Sequence, residues 1–253
     1  MAQKSERRAA LVTGASYGIG AATAIGLAQD GFDVAVTDLT TEPLQHTVAA
    51  IEQAGSKALA LSLDLRDQAS VEKAVAAAGA AFPGLDVLVN NAGVPSPGKP
   101  AIDVTRAEWE ANIGVNLTGA FFMSTAFGRY LLEARRPGCI VSLASTHGTV
   151  GFAGTSAYGV AKAGISHMTR ILAIEWAPYN IRVNAIAPGT TMTESRRPML
   201  QDPERHARML ARIPLGRFGE AAEMAGAIRY LVSPIASYIT GQILLLDGGL
   251  TAY

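Results

Sequence analysis

The chain has 253 residues, 49% hydrophobic and 17% charged, which supplies ample core and excludes a disordered chain. Lys plus Arg and Asp plus Glu both number 21, so a net charge of zero leaves no electrostatic footprint for nucleic acid or a membrane surface. The single cysteine, Cys139, excludes an internal disulfide framework, and His46, His147, His167 and His206 lack metal-ligand spacing, so no metal site is expected.

Met1 to Arg8 is charged, and the apolar run Ala9 to Val12 is too short for a signal-peptide core. No apolar run reaches membrane-spanning length, so the expectation is a soluble cytoplasmic protein with no membrane partner. Ala9–Val12 reads as a strand closing on Thr13-Gly14-Ala15-Ser16-Tyr17-Gly18-Ile19-Gly20, with a helix pattern to Gln29. Glycines between strand and helix let a turn tighten and let backbone approach a pyrophosphate at the helix N-terminus. An ordinary strand-to-helix turn is the alternative, and the spacing is Gly-x-x-x-Gly-x-Gly.

The second strand, Phe32 to Thr37, ends at Asp38, 20 residues after Gly18. A carboxylate there accepts hydrogen bonds from a ribose diol and repels a 2′-phosphate. Neither Tyr17 nor Leu39 is a cation that could hold such a phosphate. A helix N-cap or turn role is the other reading of Asp38. A helix from about Glu42 to Gln53 stops at Gly55, a strand Ala58–Leu63 leads to Asp64-Leu65, and a helix covers Gln68 to Ala81. Strand Asp86–Val89 runs into Asn90-Asn91-Ala92-Gly93, either a ligand-facing site or a plain turn.

Val94 to Pro100 is a Pro/Ser/Gly loop, and a long helical region from about Thr105 contains Asn116 on an apolar face. Cys139 falls in a fifth strand that runs through Ile140–Ala144 to Ser145, where it reads as a small buried hydrophobe. Tyr158 and Lys162, four residues apart, share a helix face. An ammonium near a phenol favours the phenolate and tunes it toward general acid–base work, although an ordinary surface pair has the same spacing. Strand Ile181–Ala187 leads to Pro188-Gly189-Thr190-Thr191-Met192-Thr193. An arginine- and proline-rich stretch at about 190–215 reads as a mobile helical flap, its arginines also readable as solvated surface. Helix Glu220–Val232 and strand Gln242–Leu246 close the chain before Asp247-Gly248-Gly249.

Strands and helices alternate throughout with no linker or repeat. The expectation is a single α/β domain, 1–253, of Rossmann type: a doubly wound parallel sheet of about seven strands with helices on both faces. Ligands in such folds bind beyond the carboxyl ends of the strands, where Gly14, Asp38, Asp64, Asn91, Ser145 and Pro188 all fall.

With Thr13-Gly14-x-x-x-Gly18-Ile19-Gly20, Asn90-Asn91-Ala92-Gly93, Asn116, Ser145, Tyr158-x-x-x-Lys162 and Pro188-Gly189 in this order, the chain resembles the short-chain dehydrogenase/reductase (SDR) family over nearly its whole length. The resemblance implies an NAD(P)-dependent enzyme in which Tyr158 is the acid/base and Ser145 positions the substrate oxygen. Lys162 binds the nicotinamide ribose and tunes Tyr158, and Asn116 holds a relay water. It further implies that Gly14, Ser16 and Ile19, in the turn with Tyr17, Gly18 and Gly20, line the pyrophosphate and ribose. Asp64 and Leu65 would contact adenine, Asn91, beside Ala92 and Gly93, its ribose, and Thr191 and Thr193, after Pro188 and Gly189, the carboxamide. An acidic Asp38 goes with NAD(H), whereas NADP(H) members usually carry a base at Tyr17 or at Leu39.

The leading expectation is an NAD(H)-dependent oxidoreductase interconverting a secondary alcohol and a ketone. The alternatives are an NADPH-dependent 3-oxoacyl-[acyl-carrier-protein] reductase, disfavoured by Asp38, and a catalytically silent nucleotide-binding module. Substrate-pocket candidates are Val94, Pro95, Ser96, Ser145, His147, Phe152, Tyr158 and Met192. No charge clamp among them points to a small neutral polyol, sugar or cyclic alcohol. His147 could reach a substrate hydroxyl or face solvent. The family resemblance implies a homotetramer, with Phe121–Phe127, Ile165–Ile174 and Ile243–Leu246 as candidate interfaces.

Overall fold

A computed structural model of the chain describes residues 7–194 and 201–252; the flap expectation at 195–200, including Arg196 and Arg197, lies outside them. The elements follow in order: β1 (Ala9–Thr13), α1 (Gly18–Gln29), β2 (Asp33–Asp38), α2 (Gln45–Gln53), β3 (Ala58–Ser62), α3 (Gln68–Ala81) and β4 (Leu85–Asn90). Then come α4 (Arg106–Ile113), a π-helical segment (Gly114–Gly119), α5 (Ala120–Glu133), β5 (Gly138–Leu143), α6 (Ser156–Trp176) and β6 (Ile181–Pro188). The chain closes with β7 (Thr191–Met192), α7 (Pro203–Leu210), β8 (Gly219–Glu220), α8 (Ala221–Val232) and β9 (Ile243–Leu246).

Local chemistry sets several starts. Asp67 accepts the Ala69 N–H at 3.0 Å to cap α3, and Thr105 with Glu108 forms a reciprocal capping box on α4. Each satisfies backbone donors that the first helical turn leaves without a partner.

Seven parallel strands form one sheet in the order β3-β2-β1-β4-β5-β6-β9. The order reverses between β1 and β4, which places the crevice of a doubly wound fold beyond those strand ends. Strands such as Leu11-Val12 and Val87-Leu88-Val89 are uniformly apolar because both sheet faces are covered. Ala9 and Leu11 pack toward α3, α5 and α6, while Ala10 and Val12 pack toward α1 and α8. Phe127, Met123, Leu131 and Ile165 are fully buried on the first side, each contributing about 1.5–3 kcal/mol. Small residues bring α6 close to its neighbour: a Cβ on Gly164 would lie 2.7 Å from Leu117 Cδ2.

Two features were not part of the sequence expectation. The helical region from Thr105 is interrupted by the π-helical turns that carry Asn116. Around the expected flap, β7 and β8 pair as a two-stranded parallel sheet, and Met192, Ile213 and Phe218 form a small apolar cluster.

Candidate active site

At the end of β1 the backbone must turn sharply and stay close to β4. Gly14 adopts φ +63°, and a Cβ there would fall 2.7 Å from Ala92 Cα. Gly20, in the first turn of α1, has no room either, since its Cβ would sit 2.2 Å from the Gly14 carbonyl oxygen. Thr13 and Asn91 lace the two strand ends together. Thr13 Oγ1 accepts the Asn91 and Ala92 N–H groups, both at 3.0 Å. Asn91 Nδ2 donates to the Thr13 and Gly14 carbonyls at 2.9 and 2.7 Å. Asn91 therefore holds the glycine turn in shape, and its Oδ1 is the atom left for a ligand.

Asp38 ends β2 beside that turn. One oxygen accepts the Leu39 N–H at 2.8 Å, and the other accepts the Ser16 hydroxyl. An ionised carboxylate has about four acceptor positions, so capacity is left for a diol. Tyr17 and Leu39 are exposed beside it. Thr47 braces the turn from α2, donating to the Ala15 carbonyl at 2.9 Å.

Asp64 is paired with Arg66 at 2.7 Å, whose side-chain hydrogen bonds hold the carboxyl below its ordinary range. Leu65 is buried against Gly119, where a Cβ would approach Leu65 Cβ to 2.6 Å.

Asn116 is buried. Its Nδ2 donates to the Val94 carbonyl and to Asn112 Oδ1, both at 2.9 Å, and its Oδ1 accepts the Val94 N–H at 3.2 Å. Asn112 in turn donates to the Pro95 carbonyl at 3.0 Å. The two asparagines thus pin the start of the Val94–Pro100 loop to α4 and the π-helical segment. A Cβ on Gly93 would fall 2.6 Å from Asn116 Oδ1 and 3.8 Å from Lys162 Nζ, so Gly93 lets these groups approach each other.

Ser145 follows β5, extended and buried. Its Oγ accepts the His147 N–H at 3.2 Å and lies 3.3 Å from His147 Nδ1. His147 stacks on Phe152 at 4.2 Å between centroids and meets the Tyr158 ring edge-on at 5.5 Å. Arg212 lies over Phe152 at 4.8 Å. Lys162 Nζ sits 5.6 Å from the Tyr158 ring centroid and donates to the Leu143 carbonyl at 2.7 Å. Burial pushes the Lys162 ammonium down to about 8, because a charge is costly away from water. Burial likewise pushes the Cys139 thiol up to about 11, which keeps it an inert core side chain.

Beyond β6, a Cβ on Gly189 would sit 2.9 Å from Asp247 Cα, and Thr191 donates to the Gly189 carbonyl at 3.3 Å. The chain folds back over the start of α1: a Cβ on Gly18 would meet Thr193 Cγ2 at 3.1 Å. Ser145, Tyr158, Lys162 and Asn116 therefore adjoin one another through direct or shared neighbours, and the glycine turn with Asp38 adjoins them through Asn91, Ala92 and Gly93. Met192 instead packs against Ile213 and Phe218. Sequence reasoning quoted Thr13 in the glycine motif without giving it a role, and passed over Thr47 and Asn112. Asn112 alone had a local signal, lying four residues before Asn116.

The site suits a dinucleotide. Tyr17 precedes α1 without a side-chain cap and the first turn holds no acidic residue; the nearby carboxylate is that of Glu194, whose Oε2 would lie 3.9 Å from a Cβ on Gly18. Among the described residues no cluster of His, Cys, Asp and Glu could hold a metal, and no helix is long and apolar enough to cross a membrane.

A family model described as Enoyl-(Acyl carrier protein) reductase matches residues 14–251. L-rhamnose 1-dehydrogenase (NAD(P)(+)) of Azotobacter vinelandii is 40% identical over 95% of this chain and 95% of its own. Cis-4-hydroxycyclohexanecarboxylate dehydrogenase of Sinomonas cyclohexanicum is 40% identical over 100% of both chains. The crystal structure of a short-chain type dehydrogenase/reductase from Mycobacterium marinum superposes with a TM-score of 0.93 at 33% identity, covering 97% of this chain and 96% of that one. With its glycine turn and its Ser145–Tyr158–Lys162 grouping at the strand ends, the chain belongs to the short-chain dehydrogenase/reductase family of nucleotide-dependent oxidoreductases acting on CH–OH groups.

Proposed function

We propose that the chain, as one domain, is an NAD(H)-dependent dehydrogenase that interconverts a secondary alcohol and a ketone on a small polyol, sugar or cyclic alcohol. The observation that carries this reading is the grouping of Ser145, Tyr158 and Lys162, with Lys162 locked onto the end of β5 through the Leu143 carbonyl. When bound, the nicotinamide nucleotide supplies the hydride acceptor or donor. Gly14, Ser16, Tyr17, Gly18, Ile19 and Gly20 would hold its phosphates and Asp38 a ribose diol. Asp64, Leu65, Asn91, Ala92 and Gly93 would hold the adenosine side, and Pro188, Gly189, Thr191 and Thr193 the nicotinamide side.

Tyr158 takes the proton of the alcohol at its phenolate oxygen, or returns it to the ketone oxygen. A general acid or base so positioned contributes about 10²–10⁴-fold. A cation at Lys162 favours the phenolate. Ser145 donates a hydrogen bond to the reacting oxygen, and Asn116 braces the loop that borders it. Substrate class is supported by the rhamnose and hydroxycyclohexanecarboxylate relatives.

NAD preference rests on Asp38, since a 2′-phosphate would meet its carboxylate. The NADPH-dependent acyl-carrier-protein reductase reading is favoured by the description of the matching family model and by a relative named 3-oxoacyl-[acyl-carrier-protein] reductase. A cytoplasmic homotetramer completes the reading, supported by exposed apolar side chains on α5 and α6 (Phe121, Phe122, Ile171, Ile174) and on β9 (Leu244, Leu245).

Fluorescence titration with NADH and NADPH at equal ionic strength, followed by an oxidation screen of sugars and cyclic alcohols, tests the proposal. Tighter NADH binding and NAD-linked oxidation are expected. Tighter NADPH binding with turnover of 3-oxoacyl thioesters alone would overturn it.

A further inference from the structure

We propose that His147 is a positioning residue that holds Ser145 as a hydrogen-bond donor toward the substrate oxygen, with the imidazole proton carried on Nδ1. The inference rests on the roles of Ser145 and Tyr158 given above. It follows from accounting for the Ser145 hydroxyl, which has one O–H and two lone pairs. One lone pair accepts the His147 backbone N–H at 3.2 Å. His147 Nδ1 lies 3.3 Å from the same oxygen, and two arrangements are open there.

In the first, Nδ1 lacks a proton and Ser145 donates to it. The only group Ser145 then turns toward the substrate is a lone pair. A ketone oxygen also offers only lone pairs. An alcohol oxygen has one O–H, which the reaction gives to Tyr158, so it too meets Ser145 with a lone pair. Acceptor would face acceptor in both directions of the reaction. In the second arrangement Nδ1 carries the proton and donates to Ser145. Both lone pairs of Ser145 are then filled by one residue, and its O–H is left for the substrate. Only this arrangement serves catalysis.

The ring is held for this task. It lies against Phe152 with 27° between planes and meets Tyr158 at 83°. The loop that carries it is seated on α6, since a Cβ on Gly148 would fall 2.6 Å from the backbone of Lys162 and Ala163. Charged or titratable groups near it among the described residues include Tyr158, Lys162 beside Tyr158, and Arg212 over Phe152.

Two substitutions separate the donor from the ring. His147→Asn keeps a side-chain N–H close to the Nδ1 position, whereas His147→Phe keeps the stack on Phe152 and loses the donor. Nitrogen NMR of the ligand-free protein, with His147→Asn identifying the signal, is expected to place the proton on Nδ1. With L-rhamnose or cis-4-hydroxycyclohexanecarboxylate, His147→Phe should lower kcat about five- to tenfold with KM changed by less than about twofold. His147→Asn should stay within about twofold of the original kcat. A proton on Nε2, an undiminished kcat in His147→Phe, or equal losses in both variants would overturn the inference. The NMR measurement needs no substrate and holds even if His147→Phe does not fold. A protein with Nδ1 protonated but no alcohol oxidation would sink the proposed function and leave this assignment of the proton standing.

Discussion

Replacing Lys162 by Met separates the cost of burying its charge from its use. The side chain is 4% exposed, and burial lowers its pKa from the ordinary 10.5 to about 8. At about 1.4 kcal/mol per pH unit, that fall is worth about 3 kcal/mol. The folded pKa lies below the unfolded one, so the unfolded chain binds more protons between the two values and stability rises with pH there. The full cost is therefore present below pH 8 and fades as pH rises toward 10.5. Met fills much of the same volume without the charge, but it leaves the buried Leu143 carbonyl without its 2.7 Å donor, a loss of about 1–2 kcal/mol. At pH 7 Lys162→Met should be the more stable protein by about 1–2 kcal/mol, and by pH 10 this advantage should vanish or reverse. Urea unfolding of both ligand-free proteins from pH 7 to 10 measures the difference, and high-pH titrations remote from Lys162, Cys139 included, largely cancel. A difference flat within about 1 kcal/mol across that range would refute the reasoning. The same variant should lose alcohol oxidation, since stability gained at a buried functional charge is activity forgone.

Three further outcomes follow from particular contacts. Gly20→Ala should cost about 2–3 kcal/mol, because the new methyl falls 2.2 Å from the Gly14 oxygen and 2.4 Å from Asn91 Nδ2; thermal unfolding unchanged within error would show that the turn yields freely. Asp38→Ala should shift the ratio of NADH to NADPH affinity by about tenfold or more toward NADPH, read by fluorescence titration, and an unchanged ratio would remove Asp38 from cofactor choice. Asp86 is raised by burial and pulled back by Arg8 at 2.6 Å; Arg8→Met should cost about 2 kcal/mol at pH 7, and the loss should shrink as pH falls and Asp86 gains its proton. A loss that grows in acid would contradict that sign.

The alternation of strand and helix was legible because buried parallel strands read as short apolar runs such as Val87–Val89, and the stop at Gly55 marks a helix end locally. The Ser145, Tyr158 and Lys162 grouping was legible from spacing on one helix and from the end of one strand. The π-helical turns around Asn116 were not, since an apolar face is preserved whether the turn holds the α spacing or widens. The lacing role of Asn91 was hidden because its partners, Thr13 and Gly14, are 78 and 77 residues away in sequence. The stack of Arg212, Phe152 and His147 joins a loop to a distant segment, and β7 and β8, two residues each, are too short to leave a period-two signal.

The account turns on the phenol of Tyr158, and steady-state oxidation of the preferred alcohol by Tyr158→Phe tests it most directly, with NADH affinity measured on the same sample. The prediction is a loss of kcat of about 10³-fold or more with NADH bound within about threefold of the unsubstituted protein. Turnover surviving within about tenfold, with the nucleotide still bound, would contradict the assignment of Tyr158 as the acid and base of the reaction.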